Sequence, residues 1–280
     1  MVPFQVDLKG KTAVVTGGGG VLCAAFSKAL AECGARVAVV DLNLDAAKRV
    51  ADEISANGGT AMAASANVLD KKSLTEARGQ IEKAFGKCDI LLNGAGGNNP
   101  KGTTTHEYFD PKDVMDSDVV TFFDLDPEGI QFVFNLNFVG TLLATQVFAE
   151  GMGEGGVILN VSSMNAFTPL TKIPAYSGAK AAVSNFTQWL AVHFSKVGIR
   201  VNAIAPGFFA TAQNHALLFD EQGNYTARSN KIISQTPMGR FGTPDELIGG
   251  LLYLTDNKAS SFVNGIVLPI DGGFSAYSGV

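Results

Sequence analysis

A tyrosine and a lysine four residues apart could carry out proton transfer. Tyr176 and Lys180 begin a long helical pattern, so their side chains lie on one helix face, about one turn apart. A lysine ammonium beside a phenol favours the phenolate, which predicts a lowered pKa for Tyr176. Upstream, the strand pattern Val157–Val161 ends in Ser162 and Ser163, and either hydroxyl could hydrogen-bond the same reacting oxygen. These residues could transfer the proton when a carbonyl and an alcohol are interconverted. Tyr and Lys at this spacing are also common on ordinary helix surfaces, however.

A glycine-rich turn follows the first strand pattern of the chain. The run TAVVT at residues 12–16 leads into four glycines, Gly17 to Gly20, then into a helical pattern and a second strand that ends in Asp41. This order is the opening of a dinucleotide-binding unit, because N–H groups at the helix start can bind a pyrophosphate. Asp41 would accept hydrogen bonds from the adenosine ribose and repel a 2′-phosphate, which favours NAD over NADP. A purely structural turn can use the same glycines.

Strand and helix patterns alternate along the rest of the chain without repeats or a linker. About seven strands and six helices predict an α/β fold over residues 1–280, a single doubly wound parallel sheet of the Rossmann type with helices on both faces. Long helices are predicted at about 128–150 and 175–196. Ligands of such sheets bind at the carboxyl ends of the strands. The strand ends that we expect to line one crevice are Gly17 to Gly20, Asp41, Asn67, Asn93 to Gly97, Ser162, Ser163, Pro206 and Gly207.

The composition excludes several classes of protein. The 280 residues are 46% hydrophobic and carry a net charge of −5, so no basic surface for nucleic acid is expected. Three scattered cysteines indicate reduced thiols, and no Cys/His spacing typical of a metal site occurs. No apolar leader and no run of transmembrane length were found in the sequence, which predicts a cytoplasmic protein without a membrane partner.

Several ordered motifs together resemble the short-chain dehydrogenase/reductase family over nearly the full length of the chain. They are TGGGGVLC at 16–23, NGAG at 93–96, NFVG at 137–140, YSGAK at 176–180 with a serine thirteen residues before its tyrosine, PG at 206–207 and DGG at 271–273. The resemblance implies hydride transfer between a nicotinamide cofactor and a carbonyl carbon. The cofactor contacts that it implies are Gly17, Gly20, Val21, Leu22, Asp41, Asn67, Val68, Asn93, Ala95, Gly96, Pro206, Gly207 and Thr211.

The same resemblance implies four catalytic residues. Tyr176 would be the general acid in reduction and the base in oxidation, and Lys180 would lower its pKa and bind the nicotinamide ribose. Ser163 would bind the substrate oxygen, with Ser162 as the alternative that the spacing to Tyr176 disfavours. Asn137 would hold a water that links Lys180 to solvent. The family further implies a homotetramer built on the two long helices and the C-terminal strand.

The chain departs from the family pattern at four positions. Val21 and Cys23 occupy the places of the second and third glycines, so Val21 is expected to reshape the turn and Cys23 to be a buried thiol. Asn67 replaces an aspartate and keeps a donor and an acceptor for adenine. Gly94 replaces an asparagine, which is expected to remove one structural hydrogen bond.

Within the family, the segments NGAGGNNPKGTT, FTPLTKIPAYS and PGFFATAQN resemble the D-mannonate oxidoreductase group of sugar-acid enzymes. This implies a D-mannonate/D-fructuronate substrate pair; another polyol, a gluconate or an acyl-type carbonyl is the alternative. A catalytically inactive nucleotide-binding regulator is a further alternative, but such proteins lack the Tyr or Lys that this chain retains. Substrate selectivity is expected from two variable segments, 97–127 and 208–240.

The variable segments and the loop before Tyr176 supply amides, hydroxyls and cations that suit a sugar acid. Lys172 is the preferred carboxylate contact, against the alternative of a solvated loop lysine, and Arg228 and Lys231 are further cations in the second segment. The candidate substrate contacts are Asn98, Asn99, Asn165, Lys172 and Gln213.

Overall fold

The computed structural model describes residues 6–211 and 214–279, in which seven strands form one parallel sheet. The strands are β1 (Thr12–Thr16), β2 (Arg36–Asp41), β3 (Thr60–Ser65), β4 (Ile90–Asn93), β5 (Val157–Val161), β6 (Arg200–Pro206) and β7 (Val267–Ile270). Their order across the sheet is β3-β2-β1-β4-β5-β6-β7. The winding direction reverses between β1 and β4, which opens a crevice at the carboxyl ends. The predicted doubly wound sheet is confirmed.

Helices cover both faces of this sheet. They are α1 (Val21–Glu32), α2 (Leu44–Ala56), α3 (Lys71–Phe85), α4 (Pro127–Phe134), α5 (Gly140–Phe148), α6 (Pro174–His193), α7 (His215–Leu218), α8 (Ala227–Ser234) and α9 (Ile248–Thr255). Successive residues of β1 show how the core divides, because Val14 packs with α3 and α5 while Val15 packs with α1 and α9. Both valines are fully buried, which explains the uninterrupted apolar pattern of this strand.

The long helix predicted at 128–150 is continuous but changes pitch twice, at a π-helical turn in its middle and at a 3-10 turn, Ala149–Gly151, that ends it. A π-helical turn, Asn135–Val139, joins α4 to α5, and Asn137 lies within it. The run Pro127–Gly151 therefore reaches 25 residues with a mean hydropathy of 1.5 in its most apolar window, so by length and composition it could span a membrane. The expectation that no run reaches that length was wrong, because the helix that the sequence already predicted at 128–150 is itself long and apolar enough. Half of that window is buried in the fold, where α5 packs against α3 as a core helix does.

The second long helix, α6, ends three residues earlier than the predicted position 196. A short 3-10 turn, Ser195–Val197, follows it, and Gly198 then takes a left-handed φ of +75° that ends the helical path. Pro174 is the first helical residue, where its missing N–H costs nothing.

The two variable segments contain only short elements, and they meet. Segment 97–127 forms three 3-10 turns, and segment 208–240 forms α7 and α8. The hydroxyls of Thr226 and Ser229 in the second segment donate to the carbonyls of Leu217 and Leu218, which fixes α8 to α7. An ion pair between Lys231 and Glu107 joins this segment to the first.

Candidate active site

A crevice of about 610 Å³ runs along the carboxyl ends of β1, β2, β4, β5 and β6. One end is next to Asp41 and Asn67, and the other lies over Tyr176 and Lys180. The predicted site residues that line it are Gly17, Gly20, Val21, Leu22, Asp41, Asn67, Val68, Ala95, Gly96, Tyr176, Lys180, Gly207 and Thr211. The structure therefore brings the glycine turn and the Tyr/Lys pair to one cavity, as the strand-end argument predicted.

The glycines of the turn are needed mainly because neighbouring residues pack close to their backbone, and only one of them has an unusual φ angle. Only Gly17 among the four has a left-handed φ, +65°, and a Cβ there would lie 2.8 Å from the Cα of Ala95. A Cβ on Gly18 would lie 2.6 Å from a methyl of Val39, and one on Gly19 would lie 2.6 Å from the Cβ of Ala46. The turn thus has no space for a side chain at Gly17, Gly18 or Gly19. Its N–H groups are paired within the protein, since Gly18 donates to the Val40 carbonyl, Gly19 to the Asp41 carboxylate and Gly20 to the Gly17 carbonyl.

Helix α1 begins at this turn without a side-chain cap. Gly20 is the N-cap and Val21 the first helical residue, with its side chain against the crevice. The N–H groups of the first turn have no intrahelical acceptor, so they form a binding site for an anion such as a pyrophosphate. Val21 therefore changes the wall of the crevice and leaves the donors of the turn in place.

Asp41 ends β2 with its carboxylate held by backbone donors. Its Oδ2 accepts from the Gly19 N–H at 3.0 Å, and its Oδ1 accepts from the Asn43 N–H at 2.9 Å. The remaining lone pairs of the two oxygens can accept from vicinal ribose hydroxyls. At Asn67, the side-chain Oδ1 accepts from the Leu69 N–H at 3.0 Å, which forms a tight turn at the same end of the crevice.

Cys23 and Gly94, two departures from the family pattern, are neighbours in space. A Cβ on Gly94 would lie 2.1 Å from the Cys23 Sγ, well inside any normal contact. Cys23 is buried as expected, and burial raises the pKa of its thiol to about 12, so the sulfur is a packing group. The thiol thus fills much of the space that a side chain at position 94 would need, and the Thr16 carbonyl oxygen, 2.9 Å from the same Cβ, limits it further.

Tyr176 and Lys180 lie on the first two turns of α6, with the Lys180 Nζ 5.6 Å from the centre of the Tyr176 ring. The ammonium donates to the Val161 carbonyl at 2.8 Å. Burial lowers the pKa of Lys180 to about 8. Burial also raises the pKa of Tyr176 to about 12, and the Ser163 hydroxyl acts in the opposite direction. Desolvation of the phenolate is thus the larger influence on the pKa of Tyr176, and the lowering of that pKa by Lys180 stays a prediction.

The two serines after β5 point to different neighbours. The Ser162 hydroxyl lies 2.7 Å from that of Ser184 and donates to the Lys180 carbonyl at 3.2 Å, so it is part of the contact between β5 and α6. Ser163 is the serine that influences Tyr176, and its oxygen also accepts from the Asn165 N–H. The geometry agrees with the choice of Ser163 that the spacing favoured.

Asn137 holds the loop after β4 against the π turn. Its amide donates to the Gly97 carbonyl at 2.7 Å and to the Val133 carbonyl at 2.8 Å, and its Oδ1 accepts from the Gly97 N–H at 3.2 Å. A Cβ on Gly96 would lie 2.5 Å from the Asn137 Oδ1 and 3.3 Å from the Lys180 Nζ. The amide and the ammonium therefore border the same glycine.

Two predicted cofactor contacts do not line the crevice. The Asn93 amide donates to Thr145 at 3.0 Å and to Asn160 at 2.9 Å, within a buried polar network below the loop. Pro206 is buried at the end of β6, and Gly207, the next residue, lines the crevice wall. Both residues support the strand ends. Sequence position alone did not show whether they support the crevice or line it.

The candidate substrate residues are dispersed. Asn98 donates to Thr103, Asn99 caps a 3-10 turn, and neither lines the crevice. Asn165 is buried, and its Oδ1 has no hydrogen-bond partner among the described residues. Lys172 is exposed and outside the crevice, where its carbonyl accepts from the Thr104 N–H. Gln213 lies outside the described residues.

Sequence patterns did not reveal most of the crevice wall that residues 208–241 contribute. Its apolar part is a small cluster in which Leu218, Ile232 and Phe241 pack together and face the crevice. Arg228, considered from sequence only as one of several cations, lines the crevice as well. The apolar spacing of residues 218, 232 and 241 spans separate short elements, so no helical or strand period could reveal it.

Comparisons with known proteins agree with this arrangement. The family model of the short chain dehydrogenases matches residues 11–222. A crystal structure from Haemophilus influenzae with bound NAD, provisionally named a D-mannonate oxidoreductase, is 61% identical, covers 98% of each chain and superposes with a TM-score of 0.94. An uncharacterized oxidoreductase of Bacillus subtilis, UxuB, is 51% identical over 100% of both chains. Gluconate 5-dehydrogenase of Gluconobacter oxydans is 32% identical over 98% of both.

Proposed function

The chain belongs to the short-chain dehydrogenase/reductase family of oxidoreductases, and from this premise we propose that it interconverts D-mannonate and D-fructuronate with NAD(H). The observation that carries the proposal is the meeting of Tyr176, Lys180 and Ser163 at the end of a crevice whose other end is next to Asp41. The relative from Haemophilus influenzae supports the choice of both substrate and cofactor, since it is 61% identical over nearly the whole chain.

The residues of the crevice fit NAD. The absence of Cβ atoms lets the glycine turn pack closely against Ala95, Val39 and Ala46, and the first N–H groups of α1, which lack an intrahelical acceptor, would bind the pyrophosphate. Asp41 would hold the adenosine ribose, and its negative charge would disfavour the 2′-phosphate of NADP. Lys180 and Thr211 border the opposite end, where they would hold the nicotinamide ribose and the nicotinamide amide.

The cofactor would supply the hydride chemistry, and the side chains would manage the proton. In reduction, the Tyr176 phenol donates its proton to the carbonyl oxygen of the substrate while the Ser163 hydroxyl hydrogen-bonds the same oxygen. In oxidation, Tyr176 accepts the proton from the substrate hydroxyl. Lys180 stabilises the phenolate through its positive charge, and Asn137 keeps the neighbouring loop in place so that water can connect Lys180 with solvent.

A substrate panel tests this proposal. NADH consumption at 340 nm is expected to be fastest with D-fructuronate, slower with its isomer D-tagaturonate and slowest with 5-keto-D-gluconate. NADPH is expected to replace NADH poorly, because of Asp41. Faster turnover of 5-keto-D-gluconate would instead favour the gluconate alternative, to which the relative from Gluconobacter oxydans points. Tight NADH binding without turnover of any carbonyl would favour the regulator.

A tyrosine variant connects the activity to the site. Tyr176→Phe is expected to bind NADH normally, because the ring remains, and to lose about 10³-fold or more in kcat, the scale of general acid catalysis plus loss of orientation. NADH fluorescence titration and turnover measure the two quantities separately. Activity close to that of the wild type would contradict the role of Tyr176.

A further inference from the structure

One cation faces the crevice from the second variable segment. The charged side chains among the described lining residues are Asp41, Lys180 and Arg228. Asp41 is held by backbone donors at the adenosine end, and Lys180 is buried against the Val161 carbonyl. Arg228 differs from both, because within residues 6–211 and 214–279 its guanidinium takes part in no ion pair and donates no hydrogen bond.

The position of Arg228 is fixed by the fold. It lies on α8, four residues before Ile232, so both side chains occupy the helix face that lines the crevice. Thr226 caps this helix by accepting from the Ser229 N–H at 3.2 Å. Ser229 is fully buried and its hydroxyl donates to the Leu218 carbonyl at 2.6 Å, which anchors the helix beside the cavity.

The electrostatics of α8 give Arg228 no evident structural role. It is the second residue of the helix, where the positive end of the helix dipole disfavours a cation. An anion bound in the crevice would make this arrangement favourable, because the guanidinium and the positive end of the helix dipole would both attract the anion. A guanidinium fork also matches the two oxygens of a carboxylate, which a single ammonium does not.

We propose that Arg228 binds the carboxylate of the acid substrate and so determines the preference for sugar acids over neutral sugars; this inference rests on the proposed function. It replaces the assignment of that role to Lys172. Both residues are exposed, but Lys172 lies outside the crevice, whereas Arg228 lines the same cavity as Tyr176. The carboxylate would then lie against α8 while the carbonyl carbon faces the tyrosine.

Binding to the enzyme–NADH complex tests the inference without requiring turnover. D-mannonate is the charged ligand and D-mannitol, which has a CH₂OH group in place of the carboxylate, is the neutral one; NADH fluorescence reports both. Arg228→Gln is expected to weaken D-mannonate binding about 10- to 100-fold, the range for losing a charge-assisted hydrogen-bonded pair. D-mannitol binding and NADH affinity are expected to stay unchanged, and Arg228→Lys is expected to lie between Arg228→Gln and the wild type.

Two further variants serve as controls. Arg49→Gln removes the same charge from an exposed position on α2 outside the crevice and is expected to bind D-mannonate like the wild type. Lys172→Gln tests the rival cation. A loss of D-mannonate affinity in Lys172→Gln but not in Arg228→Gln would overturn the inference, as would a loss of NADH affinity in Arg228→Gln, which would assign the guanidinium to a cofactor phosphate.

The outcomes separate this inference from the proposed function. Turnover of D-fructuronate with an unchanged KM in Arg228→Gln would sustain the function and refute the carboxylate contact. Weakened D-mannonate binding in Arg228→Gln, in an enzyme that reduces no hexuronate, would sustain the contact and refute the function. Failure of the wild type to bind any sugar acid would refute both.

Discussion

At the scale of single residues, burial governs the ionisation of the tyrosine and lysine pair. The pKa of Tyr176 rises to about 12 and that of Lys180 falls to about 8, so near neutral pH the phenol keeps its proton and the ammonium keeps its charge. This is the protonation state that reduction requires, because the phenol must donate and the ammonium must stabilise the phenolate that remains.

A pH profile follows from these two pKa values. Both the Tyr176 proton and the Lys180 charge are present below pH 8, so kcat/KM for NADH in the reduction direction is expected to be flat there. Above about 8, Lys180 loses its charge while Tyr176 remains protonated, and the rate is expected to fall. Stopped-flow or steady-state rates between pH 6 and 10 measure this profile. A rate that stays level through pH 10 would show that the charge of Lys180 is not needed.

A second residue-scale prediction concerns Cys23 and Gly94. Gly94→Asn restores the residue usual in the family but drives a side chain into the Cys23 sulfur, 2.1 Å from the new Cβ. Such overpacking is expected to lower the free energy of unfolding by about 1–3 kcal/mol. Cys23→Gly alone is expected to cost about 1–2 kcal/mol, from a helical glycine and a small cavity.

The double variant tests the coupling of these two positions. Because Cys23→Gly removes the sulfur that Gly94→Asn meets, the double variant is expected to be more stable than the sum of the single effects by about 1 kcal/mol or more. Urea unfolding of the four proteins completes the cycle. Strictly additive effects would mean that the two departures from the family pattern are independent.

At the scale of elements, the two variable segments act on the site through their contact with each other. Glu107 in the first segment pairs with Lys231 on α8, the helix that also bears Arg228. The pair is partly exposed, so its loss is expected to change overall stability by less than about 1 kcal/mol. Loss of the pair is instead expected to change the position of α8 over the crevice.

Glu107→Gln is therefore expected to raise the KM for the sugar acid a few-fold while the affinity for NADH and the unfolding midpoint barely change. Steady-state kinetics and proteolysis of the 208–240 segment measure the effect. Glu53→Gln, which breaks the exposed Lys28–Glu53 pair between α1 and α2, is the matched control. An equal rise in KM in both variants would assign the effect to general charge and not to the contact between the segments.

At the scale of the whole molecule, sequence patterns predicted those features of the fold that depend on only a few neighbouring residues. The buried strand run that contains Val14 and Val15, the glycine turn after it and the acid that ends β2 each follow from burial or chain order over a few residues. The phenol pKa could not be predicted, because desolvation depends on packing from distant parts of the chain. Sequence position could not show which cation lines the cavity either, since only the folded segments place Arg228 in its wall and Lys172 outside it.

The predicted homotetramer requires an interface, and exposed apolar side chains on the long helices are candidates for it. On α6, Trp189 is 56% exposed and Val192 is 76% exposed, and Phe132 on the neighbouring helix α4 is 44% exposed. Apolar side chains grouped on paired helices suit contact with a second copy. We therefore expect a particle of four times the 29.3 kDa of one chain in light scattering.

Trp189 is the single tryptophan of the chain, so its fluorescence reports assembly directly. If the face is covered, the emission maximum of the native enzyme is expected at short wavelength, and Trp189→Lys is expected to reduce the particle to dimers or monomers. Met115→Lys is the control, because Met115 is 90% exposed on the first variable segment, away from these helices. Native emission typical of a solvated indole, together with a tetramer that survives Trp189→Lys, would place the interface on another surface.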